Sequence, residues 1–297
     1  MKKTTVIAIL AFLFVGLSSC NREVIDTRFI YIQQHVDVLL IPRPIITIPI
    51  IYEYCHNPSN NRNARNIFTE FYTSYPIYEE CHYPPPRRPM VALTFDDGPT
   101  RYTEYILDIL ERHGARATFC VLGNLVERRE DTVRRAVELG NEVIGHSWNH
   151  ANFTILSPDA IKRQIQDTSA AIEAATGVTP PPIFRAPYGN LNARVRNVAA
   201  ELGYSMLNWT VDTEDWRHRD ATIIYQRTMD RVIEGSIILL HDIRYPTKEA
   251  VELLVPSLIE RGFQLVTVSE LIEYVYGGLE PGREFRGLRP GERAGER

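Results

Sequence analysis

Between residues 90 and 276 short apolar runs alternate with longer amphipathic stretches, and few folds accommodate that alternation. The short runs are Val91 to Phe95, Ala117 to Val121, Glu142 to Gly145, Ile183 to Arg185, Tyr204 to Trp209, Ser236 to Leu240 and Gln264 to Val268. Continuous apolar runs of this length are expected for strands buried on both faces, as in a parallel sheet. The stretches between them read as helices: Tyr102 to His113, Leu125 to Leu139, Pro158 to Thr176, Asn192 to Leu202 and Ala250 to Arg261. Their ends agree with that reading. Ser157 before Pro158 is a helix cap with proline at the first helical position, and Gly114, Gly140, Gly177, Gly203 and Gly262 each follow a helical run. The expected class is α/β, an irregular seven-stranded (β/α) barrel, one strand short of the regular eight.

The remainder of the chain divides around this domain. Lys2 and Lys3, the apolar run Val6 to Leu17 and the small residues Ser18 and Ser19 give residues 1–20 the pattern of a signal peptide. The apolar run holds about twelve residues, short of the ~20 that a spanning helix needs. Its end, Leu17-Ser18-Ser19-Cys20, resembles the bacterial lipobox, which implies acylation of Cys20 and a membrane anchor made of lipid. An extracytoplasmic, membrane-anchored protein of the cell envelope is expected.

Residues 21–89 are rich in Pro, Ile, Tyr and Asn, lack sustained periodicity and end in Pro84-Pro85-Pro86-Arg87-Arg88-Pro89, the composition of a tether. Residues 277–297 are rich in Gly, Arg and Glu and are expected to be disordered. Export makes disulfides admissible. Cys55 and Cys81 sit in a crude repeat, each followed by His, and read as a disulfide, a Cys/His metal site or two thiols. Cys120, in an apolar run, reads as a buried core residue. The net charge of -4 and pI near 6.1 offer no basic footprint for nucleic acid, which is not expected as a partner.

The polar residues that interrupt the domain fall at the carboxyl ends of the expected strands. Asp96-Asp97 follows the first, His146 and His150 the third, Arg185 to Gly189 the fourth, Asp212 to Trp216 the fifth and His241-Asp242 the sixth. Each alone has a plain structural reading, as a turn cap, a core histidine, a bend or a strand end. In a parallel barrel, however, all five would share one face. One carboxylate and two imidazoles form an O,N,N set suited to Zn²⁺ or a similar first-row ion, with positions left for water and substrate. Asp97, His146 and His150 are the expected ligands, and Asp96 beside them is the expected general base.

Five ordered motifs then resemble those of the polysaccharide deacetylases, also called NodB-homology enzymes or carbohydrate esterase family four. They are Thr94-Phe95-Asp96-Asp97-Gly98-Pro99, His146-Ser147-Trp148-Asn149-His150, Arg185-Ala186-Pro187-Tyr188-Gly189, Asp212-Thr213-Glu214-Asp215-Trp216 and Leu239-Leu240-His241. The resemblance implies a hydrolase that uses one divalent ion, Zn²⁺ first and Co²⁺, Mn²⁺ or Ni²⁺ as alternatives. It also implies roles. Arg185 would pair with Asp96, the Tyr188 backbone N–H would stabilise the oxyanion, and His241 would protonate the leaving amine. Asp215 would orient His241, while Trp216 and Leu239 would wall a pocket for the acetyl methyl.

The form of the second motif resembles the peptidoglycan N-acetylglucosamine deacetylases of the family, which makes peptidoglycan the expected substrate. Chitooligosaccharides and O-acetylated xylan are the alternatives, because the same chemistry cleaves an ester. A non-catalytic carbohydrate-binding lipoprotein is the alternative of another class. Retention of both Asp96 and His241 speaks against it, since binding alone requires neither base nor acid.

Overall fold

A computed structural model of the chain describes residues 88–292. All seven expected strands are present: β1 (Met90–Asp96), β2 (Thr118–Val121), β3 (Glu142–Gly145), β4 (Ile183–Phe184), β5 (Ser205–Leu207), β7 (Ile237–His241) and β8 (Gln264–Leu265). Two further strands join them, β6 (Val211–Asp212) and β9 (Glu284–Phe285). The pairings are parallel throughout, in the order β6-β7-β1-β2-β3-β4-β5-β9, with β8 against the start of β1. The sheet curls into an open barrel whose two edges are β6 and β9.

Alternation along the central strand explains how one sheet serves two cores. Val91, Leu93 and Phe95 face outward and pack with Ile106, Leu107 and Leu110 of α1 (Arg101–Arg112) and with Val251, Leu254 and Leu258 of α7 (Tyr245–Glu260). Ala92 faces inward, with Cys120, Ile144, Ile183, Leu207 and Ile237. Thr94 and Asp96 continue that inward row, which is how a buried carboxylate comes to stand at the end of an otherwise apolar strand.

The helices explain where the chain turns. Ser157 caps α4 (Pro158–Thr176), accepting the Ala160 N–H at 3.3 Å, and Gly177 ends it in the left-handed conformation. Asn192 caps α5 (Ala193–Leu202). The stretch expected as one helix over Leu125 to Leu139 is instead two, α2 (Gly123–Val126) and α3 (Glu130–Glu138). Two helices were not anticipated, α6 (Ala221–Met229) and α8 (Val268–Tyr276). The latter contributes Leu271, Ile272 and Val275 to the inner core. Its first turn is fastened to the starts of β2 and β3, where Thr118 Oγ1 accepts the Val268 N–H at 2.8 Å and Glu142 Oε2 accepts from Ser269 at 3.3 Å.

The expectation of disorder from residue 277 onward is corrected through residue 292. Glu284–Phe285 pairs with β5, Ser236 bridges Gly287 in antiparallel fashion, and the Leu288 N–H donates to the Gly235 carbonyl at 2.9 Å. The tail thus crosses from the β5 edge to the start of β7 and covers the gap the open sheet leaves. Phe285 and Leu288 are both buried in the inner core. Two large apolar side chains with a place in that core outweigh the polar composition around them. Cys20, Cys55, Cys81 and the tether up to residue 87 lie outside the described residues; Cys120 is buried with a free thiol. No helix among the described residues is long and apolar enough to cross a membrane.

Candidate active site

The five sequence motifs meet at the carboxyl ends of the strands. Asp96 closes β1 between two register partners, His241 on β7 and Cys120 on β2. The Asp96 carboxylate is buried and receives Arg185 Nη1 on Oδ1 at 2.7 Å. Arg185 is itself fully buried, and donates further to Thr94 Oγ1 at 2.8 Å and to the Asn208 carbonyl at 3.3 Å. Burial pushes the Asp96 carboxyl upward, but the Arg185 guanidinium, with His146 and His241, outweighs it and holds the group below its ordinary value. Asp96 is therefore held as an ionised carboxylate in a fixed orientation.

Asp97, His146 and His150 converge beside it. Their ligand atoms lie within 4.8 Å of one another, the one such group found among the described residues. His146 Nε2 and His150 Nε2 approach Asp97 Oδ1 at 3.5 and 3.3 Å. His146 Nδ1 meets the Arg185 carbonyl at 2.9 Å, which fixes the proton on that nitrogen and leaves Nε2 as a lone pair facing the group. Burial, only partly opposed by Asp96 and Asp97, holds His146 below the ordinary imidazole value and so in its neutral form. Asp97 Oδ1 is buried without a hydrogen-bond partner, an expensive state for a carboxylate oxygen unless a cation shares the site. The three residues fit a divalent ion.

On the other side of Asp96, at its register position on β7, stands His241. Its Nδ1 meets Asp215 Oδ1 at 2.7 Å, its backbone N–H donates to Asp215 Oδ2 at 2.7 Å, and Thr247 Oγ1 donates to that same oxygen at 2.7 Å. Burial would lower the imidazole, yet the hydrogen bond and charge of Asp215, aided by Asp96 and Asp97, push it up to about 9. The group is a stored proton at neutral pH. Leu239, two residues before His241 on the same strand, is buried, while Trp216 is half-exposed at the rim. The ring of Tyr188 stands exposed with its centroid 4.6 Å from that of His150, edge to face.

The backbone of the site is strained in one consistent way. Among the described residues the non-glycine positions with positive φ are Asp97, Ser147, His150, Tyr188 and Glu214, every one in a loop that follows β1, β3, β4 or β6. Such conformations cost about 1–3 kcal/mol each and persist where the surroundings over-determine them. Ser147 shows one means, its Oγ accepting the His150 N–H at 2.8 Å.

Two supporting residues, Asn208 and Thr247, lie outside the five motifs, and a third, Thr94, opens the first of them. Thr94, Asn208 and Thr247 hold Arg185 and Asp215 in place. The one signal available for Asn208 was a polar residue inside an apolar run. Asp242, beside His241, is buried against Gly98, accepts a hydrogen bond from Thr103 and is pushed by burial to about 7.

The family model for polysaccharide deacetylase matches residues 84–207. The peptidoglycan-N-acetylglucosamine deacetylase PgdA of Listeria monocytogenes is 39% identical over 197 residues, which make up 66% of this chain and 41% of that protein. The chain thus spans about two fifths of that relative's length. A peptidoglycan-N-acetylglucosamine deacetylase of Bacillus cereus is 34% identical over 196 residues, 64% of this chain and 91% of the relative. Among solved structures, a T48 deacetylase with substrate is similar at a TM-score of 0.63 and 38% identity, covering 67% of this chain and 96% of that one.

Proposed function

Because the chain belongs to the polysaccharide deacetylase family, we propose that it hydrolyses N-acetyl groups from N-acetylglucosamine residues of peptidoglycan with the aid of one divalent ion, Zn²⁺ first among the candidates. The observation that carries this reading is the cluster of Asp97, His146 and His150 beside an ionised Asp96, with His241 at the register position next to Asp96 on β7. The O,N,N donor set supports Zn²⁺, and Co²⁺, Mn²⁺ or Ni²⁺ would fit the same donors.

Asp97, His146 and His150 would hold the dication, which would supply Lewis acidity at the acetyl carbonyl and ease the deprotonation of water. Asp96 takes the proton of the attacking water, and Arg185 keeps its carboxylate charged and aimed for that transfer. The Tyr188 N–H is the proposed donor to the oxyanion that develops at the carbonyl oxygen. His241 gives its proton to the sugar nitrogen as the carbon–nitrogen bond breaks, with Asp215 holding the ring in register. Acetate leaves and a free amine stays on the sugar; return of a proton from Asp96 to His241 resets the pair, so that over the cycle water supplies the hydroxyl and the proton. Trp216 and Leu239 are the proposed walls for the acetyl methyl.

Peptidoglycan is preferred because the Listeria monocytogenes relative at 39% identity and the Bacillus cereus relative at 34% are peptidoglycan-N-acetylglucosamine deacetylases. The lipobox-like end at Cys20 supports a lipid anchor that would hold the enzyme at a membrane of the cell envelope, close to such a polymer. The test is acetyl loss by mass spectrometry across peptidoglycan, chitooligosaccharide and acetylxylan, with and without chelator. Chelator-sensitive release from peptidoglycan is expected. Release confined to xylan or chitooligosaccharide would redirect the substrate, and release from none would leave a carbohydrate-binding protein.

A further inference from the structure

Asn208 lies one residue beyond the segment matched by the family model, and it touches three parts of the molecule at once. Its carbonyl accepts Arg185 Nη2 at 3.3 Å. Its side-chain Nδ2 donates to the Gly189 carbonyl at 3.4 Å and to Glu284 Oε1 at 2.7 Å. Its backbone N–H donates to the Phe285 carbonyl at 2.7 Å. Both partners of Nδ2 are acceptors only, so the orientation of the amide is fixed by its surroundings.

Glu284 is in turn held from the other side. Arg196 Nη2 of α5 meets its Oε2 at 2.6 Å, and Arg286 pairs with Oε1. The carboxylate is therefore anchored independently of Asn208 and can dictate where the amide points. Glu284 belongs to β9, in the tail that sequence composition gave up as disordered.

What the amide presses on is the turn carrying Tyr188. Tyr188 (φ 62) and Gly189 (φ 64) are both left-handed, and Asn208 is buried beneath them. A Cβ on Gly189 would lie 2.7 Å from the Trp209 ring and 2.8 Å from Asn208 Oδ1, so the turn sits on the Asn208-Trp209 pair without slack. A non-glycine residue stays at positive φ only where its neighbours leave it no alternative. Here the neighbour is an amide whose direction comes from β9.

We propose that Asn208 and Glu284 are positioning residues, fixing the Tyr188-Gly189 turn and Arg185 as one unit so that oxyanion donor and general base keep their spacing. The inference rests on the deacetylase reading above. Neither residue is among the proposed metal ligands, base or acid; both would act through the Tyr188-Gly189 turn and Arg185.

The test compares Glu284→Ala, Glu284→Gln and Asn208→Asp in the full chain loaded with Zn²⁺, by kinetics of acetate release from peptidoglycan fragments and by hydrogen exchange. Gln keeps an acceptor oxygen for Asn208, whereas Asp at position 208 can no longer donate. Glu284→Ala and Asn208→Asp should lower kcat about ten- to hundredfold, with KM and zinc content within about twofold of the parent. Glu284→Gln should retain most of kcat. In exchange, the peptide over residues 185–191 should open faster in the two damaging variants and not in Glu284→Gln. Equal losses in Glu284→Ala and Glu284→Gln, or a wild-type kcat in Glu284→Ala, would overturn the proposal. If the parent releases acetate from no polymer, the deacetylase reading has failed on its own, and unchanged exchange at residues 185–191 would then overturn the positioning role separately.

Discussion

Asp215 grips His241 at two points, Oδ1 on the ring Nδ1 and Oδ2 on the backbone N–H, both at 2.7 Å. The side chain cannot turn without losing the first contact, and β7 cannot shift without losing the second. Thr247 locks the carboxylate itself through Oδ2. Orientation and protonation of the imidazole are thus set by one buried group.

That arrangement predicts the alkaline limb of the pH profile. His241 acts as an acid only while protonated, and its value stands at about 9, so kcat is held below that pH and lost as pH rises through it. A dication held by Asp97, His146 and His150 would repel the imidazolium and move the limb lower. Asp215→Asn removes the negative charge that raises His241, so the limb should shift further toward the ordinary imidazole value near 6.5. Profiles of kcat against pH for parent and variant measure the shift, and superimposable alkaline limbs would remove Asp215 from this role.

Asp96→Ala and His241→Ala should each cut acetate release by about 10²–10⁴-fold while leaving the metal in place, because neither belongs to the ligand set. Turnover and metal content measured on the same preparations decide the matter. Undiminished turnover by either variant would refute its assignment as base or acid.

His146→Ala should fail differently. It removes a ligand whose tautomer the Arg185 carbonyl has already fixed, so bound metal should fall well below one ion per chain. Elemental analysis after dialysis gives the stoichiometry. A full complement of zinc in the variant would take His146 out of the set.

Much of this site could be read before any coordinates, and the reason is physical. A parallel barrel delivers strand ends to one face, so Asp96, His146, Arg185 and His241 could be placed together from strand order alone. Asn208 and Thr247 could not, because their contacts with Arg185, Glu284 and Asp215 join residues far apart in sequence and carry no local pattern. The strands escaped notice for a different reason. Val211–Asp212 and Glu284–Phe285 hold two residues each, too few for any period to register. The unanticipated helix α8 shows the same limit: its capping box at Thr267 and Glu270 was present in the sequence, but its apolar start reads equally well as the end of a strand.

Cys20 offers a prediction that needs no knowledge of the site. If Leu17-Ser18-Ser19-Cys20 directs acylation, Cys20→Ala should move the protein from the membrane fraction to the soluble one without changing its specific activity. Fractionation of cells expressing each form, with mass spectrometry of the mature N-terminus, provides the readout. An unmodified N-terminus on the parent would end the proposal of a lipid anchor.

The tail makes the sharpest stability prediction, since composition and structure disagree there. Phe285 is buried in the inner core among residues from β5, β7 and α8, and its ring stands 5.1 Å, edge to face, from that of Tyr276. Truncating a buried phenylalanine costs about 3–5 kcal/mol, from lost transfer energy and the cavity left behind. A disordered tail would lose nothing. Phe285→Ala should therefore lower the urea midpoint by a margin far outside error, while Arg289→Ala, an exposed residue on the same segment, should leave it nearly unchanged. Equal midpoints for parent and Phe285→Ala would mean that β9 adds nothing to the fold. Glu284 would then have no fixed place from which to hold Asn208.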